Sequence, residues 1–513
     1  MNWKKIIKYF VILTLTGSAI FIFLANRDMN KIYGGHTQKA SLEHTRFSDF
    51  HTIIKDINIL STDGETFLPN QTVRIEEGVI VAIDSVYESP DGAQIIDGKG
   101  KYLIPGLTDA HVHLFKSPND LLLYLANGIT QIRELIGEED HLLWREEIKT
   151  GRLGPDMYIA SPRLGSFGTF EGFFMEWSQG FQNIKNREDA AKYVTRFKEK
   201  GYDAVKLYSH LNRESYLAIC QIADSLGMDA VGHIPWSVEW TDIMASHQSD
   251  ISHLEEIMNA LRREFGRIEG EEGAAKFLAY VDNRSKEMAE DLLANNMSVT
   301  TTLWLTESFV RQKFDLNKVL KEVELEYVNP GISEWSENIP QGGLGWLPEV
   351  NRYQLNGDLS EEELDGQKIF WTAYAEACQI ILKNLSDSGV IIMAGTDANL
   401  PVAVPGFSLH DELQSLYQAG MTTAEVLRSA TSAPAERLKI KAGKIKEGYK
   451  ANLVILNKNP LEDIRHTKTI DQVILHGKVL DRKVLDELLS SVKNANDLSR
   501  KVDIATYSKA FQE

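Results

Sequence analysis

The chain predicts an α/β protein: a (β/α)8, TIM-like barrel, a composite β-sandwich built from the segments at both ends of the barrel region, and an N-terminal transmembrane helix. Three observations carry this. Between residues 105 and 436, eight short apolar segments alternate with amphipathic helical stretches. β-Rich segments of one texture flank that region on both sides. Ahead of everything lies Tyr9 to Ala25, a run without a charged side chain. With 513 residues the chain exceeds one compact core, so more than one structural unit is required. The expected boundaries are 1–25 for the anchor or signal segment, 26–48 for a linker, 49–104 and 437–483 for the sandwich, 105–436 for the barrel and 484–513 for a helical tail.

The apolar run would span about 25 Å as a helix, near the lower limit for a bilayer. Lys4, Lys5 and Lys8 precede it, which keeps the N-terminus in the cytoplasm and exports the rest. The competing reading is a cleaved signal peptide, leaving the protein secreted or periplasmic. The small-x-small option, Gly17-x-Ala19, would leave Ile-Phe-Ile-Phe-Leu at the mature end, so an uncleaved anchor is favoured. Asn26 to about Ser48 reads as a polar tether.

From Thr52 to Tyr102, β-rich segments such as Ile53–Leu60, Thr72–Ile75 and Val79–Ile83 are separated by Asp63-Gly64, Glu77-Gly78 and Asp97-Gly98. The pattern returns in Ala451–Leu456 and Val473–Leu480. Neither half has enough strands to cover its apolar face, so one sandwich from both ends is the economical solution. The eight candidate barrel strands are Leu107–His113, Ile129–Leu135, Met157–Ser161, Ala204–Tyr208, Ala230–Ile234, Ile251–Leu254, Ser298–Leu303 and Val390–Asp397. Barrel chemistry sits at the C-terminal ends of such strands. Two connections are unusually long. Arg163 to Lys185 carries Phe167, Phe170, Phe173, Phe174, Trp177 and Phe181, and Thr306 to Ser386 carries Trp335, Trp346 and Trp371. A satellite packing cluster and a substrate wall explain them equally well.

A formal charge of −18 argues against nucleic acid as a partner. The two cysteines, Cys220 and Cys378, lie in separate apolar helical stretches and read as buried free thiols.

The chemistry begins with His111 and His113, which strand periodicity turns to one side. Two imidazoles converging on one point suit a divalent metal, although a lone His-x-His is more often a solvated strand face. Lys206, flanked by apolar residues, would be costly to bury charged. Its neutral amine could instead react with carbon dioxide, and the carbamate could serve two cations. His233 and His253 each end a strand, and Asp397 ends the eighth. Singly, each has an ordinary structural explanation. Together they arrive on strands one, four, five, six and eight.

At this point the chain resembles the amidohydrolase superfamily, and within it the imidazolonepropionase-like and prolidase-like hydrolases. The resemblance covers most of residues 50–482. It rests on Pro105–His113, the Lys206 strand, Gly232-His233, Ser252-His253 and Ala394-Gly395-Thr396-Asp397. His410–Leu413, Ala430–Ala435 and the segment from Gly443 to Leu453 add to it. The resemblance implies a binuclear site, most often two zinc ions. His111, His113 and Asp397 would hold one, His233 and His253 the other, with N-carboxylated Lys206 bridging. Ile234-Pro235-Trp236 after His233 departs from the pattern, as does the long insert before the last strand.

The function this predicts is metal-dependent hydrolysis of amide, cyclic amide or dipeptide C–N bonds by a hydroxide shared between two cations, which lower the pKa of a bridging water. Asp397 would move the proton to the leaving nitrogen. Tyr208, two residues past Lys206, could donate to the oxyanion or a substrate carboxylate. His410 could orient a ligand, and Arg163 or Arg133 could bind a substrate carboxylate. A prolidase-type dipeptidase and a non-catalytic binding barrel are the alternatives, with the loop aromatics dipping into the membrane surface as a third idea. The partner is a small molecule, and homo-oligomerisation stays open.

Overall fold

In the computed structural model, residues 3–41, 51–84, 93–334, 344–355, 357 and 359–507 are described. Trp335 and residues 42–48 and 508–513 lie outside them. The leading strands are β1 (Thr52–Leu60), β2 (Phe67–Glu76), β3 (Val79–Asp84), β4 (Gln94–Asp97) and β5 (Tyr102–Pro105). The barrel comprises β6 (Leu107–Val112), β7 (Ile129–Glu134), β8 (Asp156–Gly165), β10 (Ala204–Leu207), β11 (Asp229–Gly232), β12 (Asp250–Ser252), β13 (Ser298–Thr300) and β14 (Ile391–Met393). A two-residue strand, β9 (Gln182–Asn183), pairs with β8 off the barrel path. The chain ends with β15 (Leu453–Leu456), β16 (Ile470–Leu475) and β17 (Lys478–Asp481), followed by the helix Arg482–Ser499.

The eight barrel strands are parallel and follow chain order. Helices cover them outside and side chains fill them inside, so β6 and β7 are buried at every residue. First and last strands meet through Ala110 N–H to Ala394 O (2.9 Å) and Asp397 N–H to His111 O (2.8 Å). All eight expected strands are present. β8 extends further than its apolar core, and β13 stops at Thr300 because Leu303 already begins a helix.

The two ends do combine. β15 pairs antiparallel with β5, placing Leu453 against Pro105 and Leu456 against Tyr102. The sheet order is β17-β16-β15-β5-β1-β2-β3. Where a sandwich is expected, hydrogen bonding runs through one continuous eight-stranded sheet. β4 and β5 both lie against β1, at Thr52–Lys55 and Asn58–Ile59. Between these stretches Asp56 has φ 55° and the β1–β2 register shifts, so the sheet bends there.

The N-terminal helix spans Trp3–Ile32, is long and apolar enough to cross a membrane by length and composition, and has no buried residue in its apolar window. It passes the expected boundary at Ala25. Residues 26–41 are not a free tether, because they find partners at the barrel mouth. Trp177 Nε1–H donates to Asn26 Oδ1 (2.9 Å), Lys116 N–H to Tyr33 O (2.9 Å), and Asn119 Nδ2–H to Gln38 O (2.8 Å). A second apolar core gathers at that mouth: Leu305, Phe309, Leu316, Leu320, Trp346 and Val404, with Ile32 and Tyr33 against it. Trp346 thus packs, whereas Phe170, Phe173 and Phe174 of the helix Thr169–Gln179 are exposed. Cys220 and Cys378 are free and buried, as expected.

Inside the barrel, Arg133 is not at a substrate site. Its Nη2–H donates to Asp250 Oδ1 and its Nη1–H to Thr300 Oγ1, both at 2.9 Å, with both charged side chains nearly fully buried. Removing one partner of such a pair strands a charge, so Arg133→Met should lower stability by about 3–5 kcal/mol. Urea unfolding checks this, with Arg133→Met/Asp250→Asn expected to recover part of the loss. An unchanged midpoint for the single variant would exclude the pair as a structural support.

Candidate metal centre at the barrel mouth

The strand ends bring the predicted ligands together. His111 and His113 sit on and just after β6, Lys206 on β10, His233 after β11, His253 after β12, and Asp397 after β14. Asp397 Oδ1 lies 2.8 Å from His113 Nε2 and 3.4 Å from His111 Nε2. The shorter approach lacks hydrogen-bond alignment, since Asp397 Oδ1 has no hydrogen-bond partner. Ring centroids are 4.4 Å apart for His111 and His253, and 4.9 Å for His233 and His253. Local backbone is adapted to this convergence. His253 and Asp397 adopt φ of 76° and 56°, uncommon for side-chain-bearing residues and typical of functional sites. A Cβ on Gly395 would lie 2.7 Å from the Cβ of His111, so only glycine lets the last strand approach the first. At Gly232 a Cβ would lie 2.3 Å from Leu207 O and 3.1 Å from Lys206 Cδ.

A divalent cation fits this cluster on chemical grounds. Among the described residues, both ring nitrogens of His111, Nδ1 of His113, Nζ of Lys206 and Oδ1 of Asp397 are buried without hydrogen-bond partners. Orphaned buried polar atoms are rare, and several in one place mark a missing partner. His111, His113 and Asp397 offer ligand atoms within 4.8 Å of one another. Imidazole and carboxylate donors suit zinc and similar ions.

The electrostatics agree. Burial pushes the His111 imidazole well below its usual pKa, and the neighbouring Lys206 and His253 charges add to this. His233 and His253 are also lowered chiefly by burial, which keeps imidazoles neutral as metal binding requires. Burial alone would raise the Asp397 carboxyl, but His113, His253 and Lys206 outweigh it and hold it ionised. Burial lowers the Lys206 amine to about 8. His113 is raised, because Asp397 and Glu134 outweigh its own burial.

The candidate ligands have neighbours that the sequence reading missed. His233 Nδ1–H donates to Glu256 Oε1 (2.6 Å), turning its other nitrogen to the centre. His253 Nδ1 lies 3.0 Å from Thr302 Oγ1. Glu134, 3.7 Å from His113 Nδ1, accepts from Leu114 N–H (2.6 Å) and Ile136 N–H (2.7 Å). Buried Asp109 accepts from Thr396 Oγ1–H (2.7 Å) and His111 N–H (3.2 Å), tying the first strand to the Asp397 turn. Glu134 ends its strand and Glu256 follows His253 by three residues, so position could have flagged both.

His410 does not take this role. Its ring bonds Thr467 Oγ1 (2.9 Å) and Asn127 O (3.1 Å), so it fastens the helix Phe407–Gln418 to the short 3₁₀ turn Ile464–Lys468. Arg163 and Tyr208 do line the cavity over the cluster, which measures about 760 Å³. Tyr208 packs 4.4 Å from the His233 ring, and the Arg163 guanidinium lies over Phe181 at 4.6 Å and Tyr208 at 5.7 Å. Arg352 and Tyr353 from the long insert join the wall, with no sequence signal to announce them.

Solved structures share this architecture. A bottromycin amidohydrolase superposes with TM-score 0.66 at 21% identity, covering 92% of this chain and 93% of its own. A Xaa-Pro dipeptidase with methionine bound in its active site gives 0.59 at 17%, covering 84% and 100%. The A. niger ochratoxinase gives 0.59 at 18%, covering 84% and 96%. These identities establish fold. Sequence relatives match over short stretches. A dihydroorotase of Bacillus pumilus is 45% identical over 62 residues, 12% of this chain and 14% of its own. A 5-methylthioadenosine/S-adenosylhomocysteine deaminase of Halalkalibacterium halodurans is 36% identical over 67 residues, 12% and 15%. The chain thus matches only about one seventh of the length of these curated relatives. The amidohydrolase family profile, by contrast, matches residues 102–480, the whole barrel and both parts of the composite sheet's junction, and the protein belongs to the amidohydrolase family.

Proposed function

We propose that this hydrolase cleaves the C–N bond of an N-acyl amino acid or dipeptide, in a catalytic domain exported and held at the membrane by its N-terminal helix. The carrying observation is the set of buried, unpartnered ligand atoms of His111, His113, Lys206 and Asp397 beneath the cavity. His111, His113 and Asp397 would hold one zinc ion, His233 and His253 a second, with carboxylated Lys206 between them. The amine lowered to about 8 supports carboxylation, because only a neutral amine reacts with carbon dioxide. When bound, divalent ions supply Lewis-acid polarisation of a carbonyl and acidify water.

The chain's own residues supply the rest. Asp397, kept ionised by its cationic neighbours, takes a proton from the attacking water and returns it to the leaving nitrogen. Tyr208, on the cavity wall beside His233, donates to the developing oxyanion. Arg163 and Arg352 place two guanidinium groups on the same wall and supply the charge for a substrate carboxylate. That pair favours acyl amino acids and dipeptides over an uncharged ring. A binding-only barrel has no use for unpartnered buried ligands, each of which costs stability.

Lys206→Ala should lose bound metal and reduce turnover of N-acyl amino acids by more than about 100-fold, beyond the effect of an orienting residue. Elemental analysis and steady-state kinetics check both, and retained stoichiometry with retained activity would remove the bridging role. Dialysis against a chelator should abolish turnover, and zinc should restore it. Binding unaffected by chelation, with no turnover in either state, would favour the non-catalytic reading. Arg352→Met should raise KM for a carboxylate substrate about 10–100-fold, while its neutral carboxamide analogue is little affected. An equal effect on both would place the guanidinium away from the carboxylate.

A further inference from the structure

We propose that the face around the cavity mouth docks onto the lipid bilayer, so that the cavity opens into the headgroup layer and draws amphiphilic acyl substrates from it. This rests on the reading of Trp3–Ile32 as an uncleaved anchor, and it names a source for the substrate.

The apolar run ends at Ala25, while Met29, Ile32 and Tyr33 of the same helix and its end line the catalytic cavity. Seven residues at 1.5 Å each place Ile32 about 10 Å beyond the hydrocarbon edge. The headgroup layer is itself roughly 5–8 Å deep on each side, so Met29, about 6 Å out, lies within it and Ile32 just outside, and both line the mouth. The helix Thr169–Gln179 lies nearer still. Its Trp177 Nε1–H donates to Asn26 Oδ1, the first residue past the apolar run. An indole at this level is where bilayers enrich tryptophan.

That same helix exposes Phe170, Phe173 and Phe174 at 88%, 69% and 52%. Three large aromatics within five residues form an apolar patch of the kind that marks an interaction surface. Phe174, Ser178 and Gln179 line the cavity, so the patch continues into its rim. A bilayer is the occupant that fits, because the apolar helix beside the patch already claims that space for lipid. Glu171 and Glu176 share the patch helix, and the chain's formal charge is −18, so electrostatic attraction to anionic lipid is not the driving term. Aromatic insertion, made nearly intramolecular by the anchor, replaces it.

Full-length protein in phosphatidylcholine vesicles tests this. A bimane probe is placed by Phe173→Cys, Phe21→Cys or Leu68→Cys, the last on the composite sheet, with nitroxide lipids as quenchers. The native cysteines are buried. Quenching at 173 and 21 but not at 68 is expected. Quenching at 21 alone overturns docking while leaving the anchor intact, and no quenching at 21 overturns both. In the same vesicles, Phe170→Ser/Phe173→Ser should lower kcat/KM about tenfold for a long-chain N-acyl amino acid and leave a short, water-soluble one unchanged. Equal effects on both chain lengths overturn delivery from the bilayer. Wild type inactive on both would instead defeat the proposed C–N chemistry, and the quenching data would still decide docking.

Discussion

Everything at the centre depends on the seam where the barrel closes. β6 and β14 come from positions almost three hundred residues apart, yet backbone hydrogen bonds join the seam, among them Ala110 to Ala394 and Asp397 to His111. The second bond belongs to the very residues that form the cluster. Closure and ligand assembly are therefore one event, and no first-strand histidine meets Asp397 unless the last strand docks. Gly395 makes the approach sterically possible, and Asp109 locks it by holding Thr396 and the His111 backbone together.

That seam gathers five titratable groups with Lys206 in a largely buried space at the base of the cavity, an arrangement that opposes folding unless something satisfies it. The chain answers with two layers. In an outer one, Glu256 and Thr302 each take one ring nitrogen, of His233 and His253, and the Glu134 carboxylate stands 3.7 Å from His113. The inner atoms are left without partners, as a site for divalent cations would require. Below, Arg133 and Asp250 neutralise each other, so the floor of the site contributes no net charge. The two levels differ in purpose: the lower is closed and structural, the upper open toward the cavity.

Above the cluster, the walls come from segments that do not belong to a minimal barrel. The long insert contributes Phe309, Arg352 and Tyr353, the β8 connection contributes Phe174 and Gln179, and the N-terminal helix contributes Met29 and Ile32. A shared apolar core binds the insert to the end of the N-terminal helix, and Trp177 ties the β8 connection to Asn26. The variable walls thus come from additions, while the buried cluster comes from the strand ends, the division of labour on which barrel enzymes are built.

The sequence alone determined the barrel, because strand and helix periodicities are local and eight units repeat them. It also picked out the residues that converge at the barrel mouth, since a strand's two-residue period turns His111 and His113 to one side and Asp397 ends the last strand beside them. It paired the two β-rich flanks, because neither could cover its own apolar face. Tertiary structure decided what depends on distant partners. The flanks became one bent sheet, as β4 and β5 share β1. His410 and Arg133 were drawn away by Thr467 and Asp250, partners that no local pattern specifies. The presumed tether became part of the cavity wall, since a polar segment reads as solvated until a complementary surface is folded beside it. Local periodicity is written in neighbouring residues, whereas the partner of a buried charge is chosen only when the chain has closed.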